Sequence, residues 1–92
     1  MKFDSIKEGN RYRVLALQEK SGIITNLKRQ VPFVIKVNGE KVCTYKADFV
    51  YMDRSGAKIV EDVKSDFTRK DRVYRLKKKL LRQTHGIDIK EV

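Results

Sequence analysis

Asn38-Gly39 stands between two apolar-rich runs, Val31-Pro32-Phe33-Val34-Ile35-Lys36-Val37 and the stretch from about Val42 to Met52. The tightest hairpin turns need positive φ at both central residues, which Asn and Gly tolerate, so this dipeptide predicts two antiparallel strands. Pro32 lies near the start of the first strand, where a missing N–H is tolerated. A second turn follows at Asp53-Arg54-Ser55-Gly56, where Asp at the first place and Gly at the fourth suit a type I turn with a glycine bulge. It leads into a third strand from about Ala57 to Lys64, so a three-stranded meander is expected in the middle of the chain.

Helices are expected on both sides of that meander. Ser5 followed by Glu8 has the form of a capping box, and good helix formers run to about Lys20 before Ser21-Gly22 ends them. Ser65 to Arg69 reads as a loop. From Lys70 to about His85, Val73, Leu76 and Leu80, with Tyr74 and Leu81 beside them, recur at helical spacing and predict an amphipathic second helix. Gly86 ends it, and Ile87-Asp88-Ile89-Lys90-Glu91-Val92 alternates as a last strand. The order is α-β-β-β-α-β: a single α/β domain with a four-stranded mixed sheet, an antiparallel meander plus a parallel last strand, flanked by two helices.

Charge narrows the function classes. The 92 residues carry 22 Lys plus Arg against 12 Asp plus Glu, a net +10, and this attracts polyanions, of which nucleic acid is the usual one and acidic lipid the weaker alternative. No apolar run approaches the ~20 residues of a membrane span, and the start MKFDSIKEGN has an acidic residue where a signal peptide needs apolar ones, so a cytoplasmic protein with no membrane partner is expected. Cys43 is alone, which excludes an intrachain disulfide and a cysteine-based zinc site.

The informative chemistry lies on the second hairpin. If its loop is Arg54-Ser55-Gly56, Asp53 pairs with Ala57, and stepping back along both strands sets Asp48 opposite Asp62, with Lys64 on the same face as Asp62. Two opposed carboxylates repel each other unless a cation compensates them. A divalent metal supplies that cation, and hard oxygen donors without histidine point to Mg²⁺, or Mn²⁺, rather than zinc. A lysine beside such a site can hold a water and a scissile phosphate. The bland alternative for Asp62-Val63-Lys64 is a solvated hairpin edge with surface ion pairs. Asp88-Ile89-Lys90 has the same form but lacks a partner aspartate on a hairpin.

Asp48 followed by Asp62-Val63-Lys64 on adjacent strands, within this element order, resembles the PD-(D/E)XK nuclease superfamily. Phe3-Asp4-Ser5 with Lys7-Glu8, Tyr45-Lys46-Ala47-Asp48-Phe49-Val50-Tyr51 and Val60-Glu61-Asp62-Val63-Lys64 are similar to a family of small phage and prophage proteins within it. The core layout is similar to that of the Holliday-junction resolvases. The resemblance implies a metal-dependent endonuclease acting on DNA, in phage DNA processing or recombination. It further implies that Glu8, Asp48, Asp62 and the Val63 carbonyl hold Mg²⁺ while Lys64 assists attack. Ala47 stands where the superfamily often has proline. Glu8 has a second role open to it, as the last member of the capping box, and Gln30, which resembles a glutamine before the family's first strand, either touches the site or satisfies loop backbone.

Binding is expected from Arg69, Lys70, Arg72, Arg75, Lys77, Lys78 and Lys79, which enter or line the second helix and grip phosphates without reading bases. The alternative is a merely solvated helix face. Tyr74 and Leu80 are expected in the core, and His85 at the helix dipole or in solvent. Cutting both strands or a junction favours a homodimer. The rival function is a non-catalytic basic nucleic-acid-binding module on the same fold.

Overall fold

The turn chemistry sets the sheet. Asn38 and Gly39 adopt φ of 53° and 81°, and Val37 pairs with Glu40 across them. At the second turn Gly56 has φ 86°, its N–H donates to Asp53 O at 3.0 Å, and Asp53 Oδ1 accepts from the amides of Ser55 and Ala57. Asp53 N–H donates to Ala57 O at 2.9 Å, which fixes the expected register: Met52 opposes Lys58, Val50 opposes Val60 and Phe49 opposes Glu61. The computed structural model describes Phe3 and residues 5–92.

The elements are α1 (Ile6–Lys20), β1 (Thr25–Val37), β2 (Glu40–Met52), β3 (Lys58–Asp62), α2 (Asp66–Arg69), α3 (Arg72–His85) and β4 (Ile89–Glu91). One sheet runs β1-β2-β3-β4, antiparallel except for the parallel β3–β4 pair. The α-β-β-β-α-β order therefore holds, with one short helix added. No helix among the described residues is long and apolar enough to cross a membrane.

The two long helices, α1 and α3, cover different cores. On the α1 side Leu15 packs with Ile24, Phe49 and Tyr51, and on the α3 side Tyr74 and Leu81 pack with Phe33, Ile35, Tyr45, Ala47, Val50, Val60 and Ile89. Burying each of the larger apolar side chains contributes roughly 1.5–3 kcal/mol. Side chains alternate along a strand, so Ala47 and Phe49 should share a face. They do not, because β2 turns over at Asp48. The opposite strand breaks at the matching place: Arg29 pairs with Phe49 and Val31 with Ala47, but between them Gln30 has φ 52°. A left-handed backbone at a non-glycine residue costs on the order of 1–2 kcal/mol, so the packing on both sides must hold it there.

Four expectations need correction. β1 begins at Thr25 rather than Val31, because Ile24 and Leu27 pack on Phe49 and Tyr51. β3 ends at Asp62, short of Lys64, and its last pair with β2 is Phe49–Glu61, although Lys64 N–H still donates to Val92 O. Ser65 to Arg69 is not loop: Ser65 and Thr68 form a capping box that starts α2. In α3 Tyr74 and Leu81 are buried and Leu80 half-buried, whereas Val73 and Leu76 are 61% and 58% exposed. The inward side includes instead the half-buried Lys77, whose ammonium donates to Thr44 O at 3.3 Å.

Glu61, next to Asp62 but facing α1, is fully buried. Arg11 donates to it twice, at 2.8 and 2.7 Å, and the Tyr51 hydroxyl donates as well. Burial alone would raise the Glu61 carboxyl, but these hydrogen bonds and the Arg11 charge outweigh it and hold the group below its ordinary value. Arg11→Met leaves a buried carboxylate without its cation and is expected to cost about 3 kcal/mol at neutral pH. A depressed folded value means that the stability is present above the unfolded carboxylate value and lost as pH falls through the folded one. Urea unfolding should therefore show the gap between wild type and Arg11→Met narrowing below about pH 4. A gap constant with pH would contradict this account of Glu61.

Candidate functional site

Where β2 and β3 part, two aspartates replace the missing ladder bonds. Asp48 N–H donates to Asp62 Oδ1 at 2.9 Å, and Val63 N–H donates to Asp48 Oδ2 at 2.9 Å. The pair is thus adjacent, as the hairpin register requires. Asp62 is 1% exposed and Asp48 half-buried. Lys64 Nζ stands 3.8 Å from Asp62 Oδ2 and 4.2 Å from the centre of the Tyr74 ring, a cation–π contact worth on the order of 1 kcal/mol.

Asp62 carries an imbalance. Burial raises its carboxyl above the ordinary value, and the Asp48 amide and the Lys64 charge offset this only in part. Its Oδ2 is buried without a hydrogen-bond partner, since Lys64 lies beyond hydrogen-bonding distance. A buried carboxylate oxygen left open costs free energy that a cation would recover. The donor chemistry, carboxylates without imidazole or thiolate, fits a hard divalent ion at this point.

Two further expected residues converge here. Ser5 Oγ accepts from Glu8 N–H and caps α1, but the Glu8 side chain is buried and faces the strands. The Gln30 amide lies 3.4 Å from Glu8 Oε2 and 3.5 Å from Asp48 Oδ1, linking the two carboxylates. Gln30 is therefore within β1, at its break, and touches the site. Among the described residues no three Asp, Glu, His or Cys side chains gather closely enough to ligate one ion. Gln30 occupies the interval between Glu8 and Asp48. Asp4, which belongs to the same sequence motif as Phe3 and Ser5, lies outside the described residues.

Sequence reading missed several neighbours. Arg29 reaches Glu8 at 3.8 Å and lies 4.1 Å over the Phe3 ring and 5.6 Å from that of Tyr12. Nothing local distinguishes it from the other basic residues. Tyr74 was expected only as core, yet its ring supports Lys64 and its hydroxyl donates to Glu91 at 2.6 Å. Lys7 Nζ donates to Lys64 O at 2.6 Å, tying α1 to the same corner.

The basic residues divide by position. Arg69, Arg75, Lys78, Lys79 and Arg82 line a groove of about 570 Å³ between α3 and β4, with Glu91 on its wall. Lys78 and Arg69 pair with Glu91 at 3.2 and 3.7 Å, which holds that carboxyl below its ordinary value after the Tyr74 hydrogen bond. Lys70 and Arg72 are exposed outside the groove, and Lys77 is turned toward β2. Asp88 of the second triplet is 78% exposed and pairs with Arg82, so it takes no part in the acidic pair. His85 sits exposed in the last turn of α3, as expected, and its Nε2 also lies 2.9 Å from Val34 O.

Residues 1–91 match a family described as "Protein of unknown function (DUF1064)". No curated protein and no solved structure matches the chain. With the match extending over nearly every residue, the chain belongs to the DUF1064 family.

Proposed function

We propose that this protein is a divalent-metal-dependent endonuclease that hydrolyses DNA phosphodiester bonds, in DNA processing or recombination. The observation that carries the reading is the buried, unsatisfied Asp62 Oδ2 beside Asp48, with the Lys64 ammonium 3.8 Å away. The resemblance of the same residues to the PD-(D/E)XK superfamily supports it. Asp48 and Asp62 would hold Mg²⁺, with the Val63 carbonyl and Glu8 completing the set that the resemblance implies. Bound there, the ion supplies Lewis-acid polarisation of the phosphate and acidification of a water.

The chain's own groups do the rest. Lys64 presents a cation at the edge of the acidic pair, where it orients the attacking water and stabilises charge developing on the phosphate. The Tyr74 ring holds that ammonium in place. Phosphates flanking the cut take up Arg75 and Lys79 in the groove, where the exposed arginine and lysine heads grip backbone without reading bases. A second reading, a binding module in which the acidic pair is only structural, draws on the fact that Asp48 and Asp62 each satisfy a backbone N–H.

Cleavage separates the two. Asp62→Asn keeps shape but removes the charge, so Mg²⁺-dependent plasmid nicking should fall at least about 100-fold while DNA binding persists or tightens. Lys64→Ala should also abolish nicking, and Asp88→Asn should leave it nearly intact. Equal activity in wild type and Asp62→Asn, or none in wild type with Mg²⁺ or Mn²⁺, hands the case to the binding module. For the groove, replacing Arg75, Lys78 and Lys79 by Ala should weaken DNA binding and make its salt dependence shallower by roughly two to three units of log–log slope. An unchanged slope would remove α3 from the DNA contact.

A further inference from the structure

The distal half of the β1–β2 ribbon carries a surface that the α3 groove leaves unexplained. Beyond the turnover at Gln30 and Asp48, Phe33, Ile35 and Tyr45 face α3 and are buried. On the other face Pro32, Lys36 and Lys46 are exposed, and so are Val34 and Val42, at 42% and 56%. At the tip Lys36 stands directly opposite Lys41, next to a register irregularity between Ile35 and Lys36. Like charges across a strand pair destabilise it, and among the described residues neither lysine, nor Lys46, has a carboxylate partner. From residue 31 to 47 Glu40 is the single acidic residue.

We infer that this ribbon is a duplex-DNA contact, lying in a groove of the double helix with Lys36, Lys41 and Lys46 on its phosphates and Val34 and Val42 toward the base edges. The inference rests on the reading of DNA as substrate and adds its form. A major groove about 12 Å wide admits a two-stranded β-ribbon, and apolar side chains there meet thymine methyl groups. Charge complementarity picks the polyanion, and aromatic placement picks the duplex. Unpaired bases are held by stacking on exposed rings, whereas Phe33 and Tyr45, the ribbon's two aromatics, are 8% and 5% exposed. From Asp48 to Lys41 the strand advances roughly 23 Å at about 3.3 Å per residue. At about 3.4 Å per base pair, the tip contacts DNA some seven pairs to one side of the scissile phosphate.

The test replaces Lys36, Lys41 and Lys46 together by Gln in the full chain, all three being exposed, with thermal unfolding confirming the fold. Binding to a fluorescent duplex and to its single strand is measured across salt concentrations. Duplex affinity should fall at least about tenfold, with a log–log salt slope shallower by roughly two to three, and single-strand affinity should change little. Trimming the duplex to about five pairs on one side of the cut should erase the difference between wild type and variant. Unchanged duplex binding, an equal loss on both DNA forms, or lysine-dependent binding to phosphatidylserine vesicles without duplex binding would overturn the inference. A wild type that binds duplex through these lysines yet cuts nothing sinks the nuclease reading and leaves the ribbon standing. One that cuts duplex regardless of them sinks the ribbon alone.

Discussion

Asp48 and Asp62 cap each other's strands, Asp48 N–H to Asp62 Oδ1 and Val63 N–H to Asp48 Oδ2. Because side-chain oxygens stand in for the backbone ladder, β2 and β3 can part without leaving those amides unpaired in a buried corner. The parting makes the site. It lets β2 turn over at Asp48, so that one stretch of the strand serves the α3 core and the next the α1 core as well. It also leaves Asp62 Oδ2 buried without a hydrogen-bond partner. The position that joins the two cores is thus the position that carries the candidate chemistry.

The two cores reach that corner by different means. On the α1 side charged groups are neutralised internally: Arg11 and Tyr51 satisfy Glu61, so the residue beside Asp62 is closed to further partners. On the α3 side the balance is left open. Lys64 rests on Tyr74, and Glu91 draws in Lys78 and Arg69 but leaves the groove basic. Adjacent carboxylates, Glu61 and Asp62, therefore differ in kind because strand alternation sends them to opposite faces. One is part of the structure, and the other is available.

The hairpin register was legible because Asn38-Gly39 and Asp53 to Gly56 specify backbone angles by residue type, and every pairing back to Phe49 opposite Glu61 follows from them. The approach of Asp48 and Asp62 was readable for the same reason. What escaped were features without a local signal. Asn26 and Gln30 take positive φ inside β1 and break the alternation by which a strand is recognised, so its first half was not seen. Val73 and Leu76 share helical spacing with the true core residues, but the face turned inward is the one from which Lys77 reaches Thr44 O and the Tyr74 hydroxyl reaches Glu91. The Arg11–Glu61 pair joins residues far apart in the chain, and only the packing of α1 on the sheet brings them together.

If the open oxygen of Asp62 marks a cation site, the protein alone, without nucleic acid, should bind a divalent ion there. Titration with Mn²⁺ followed by electron paramagnetic resonance counts bound ions directly and needs no substrate. Wild type should bind Mn²⁺ with an affinity that Mg²⁺ competes for, and Asp62→Asn, still folded, should lose that binding by at least an order of magnitude. Equal Mn²⁺ binding by both proteins, or none by wild type, would contradict the claim that the acidic pair is a metal site.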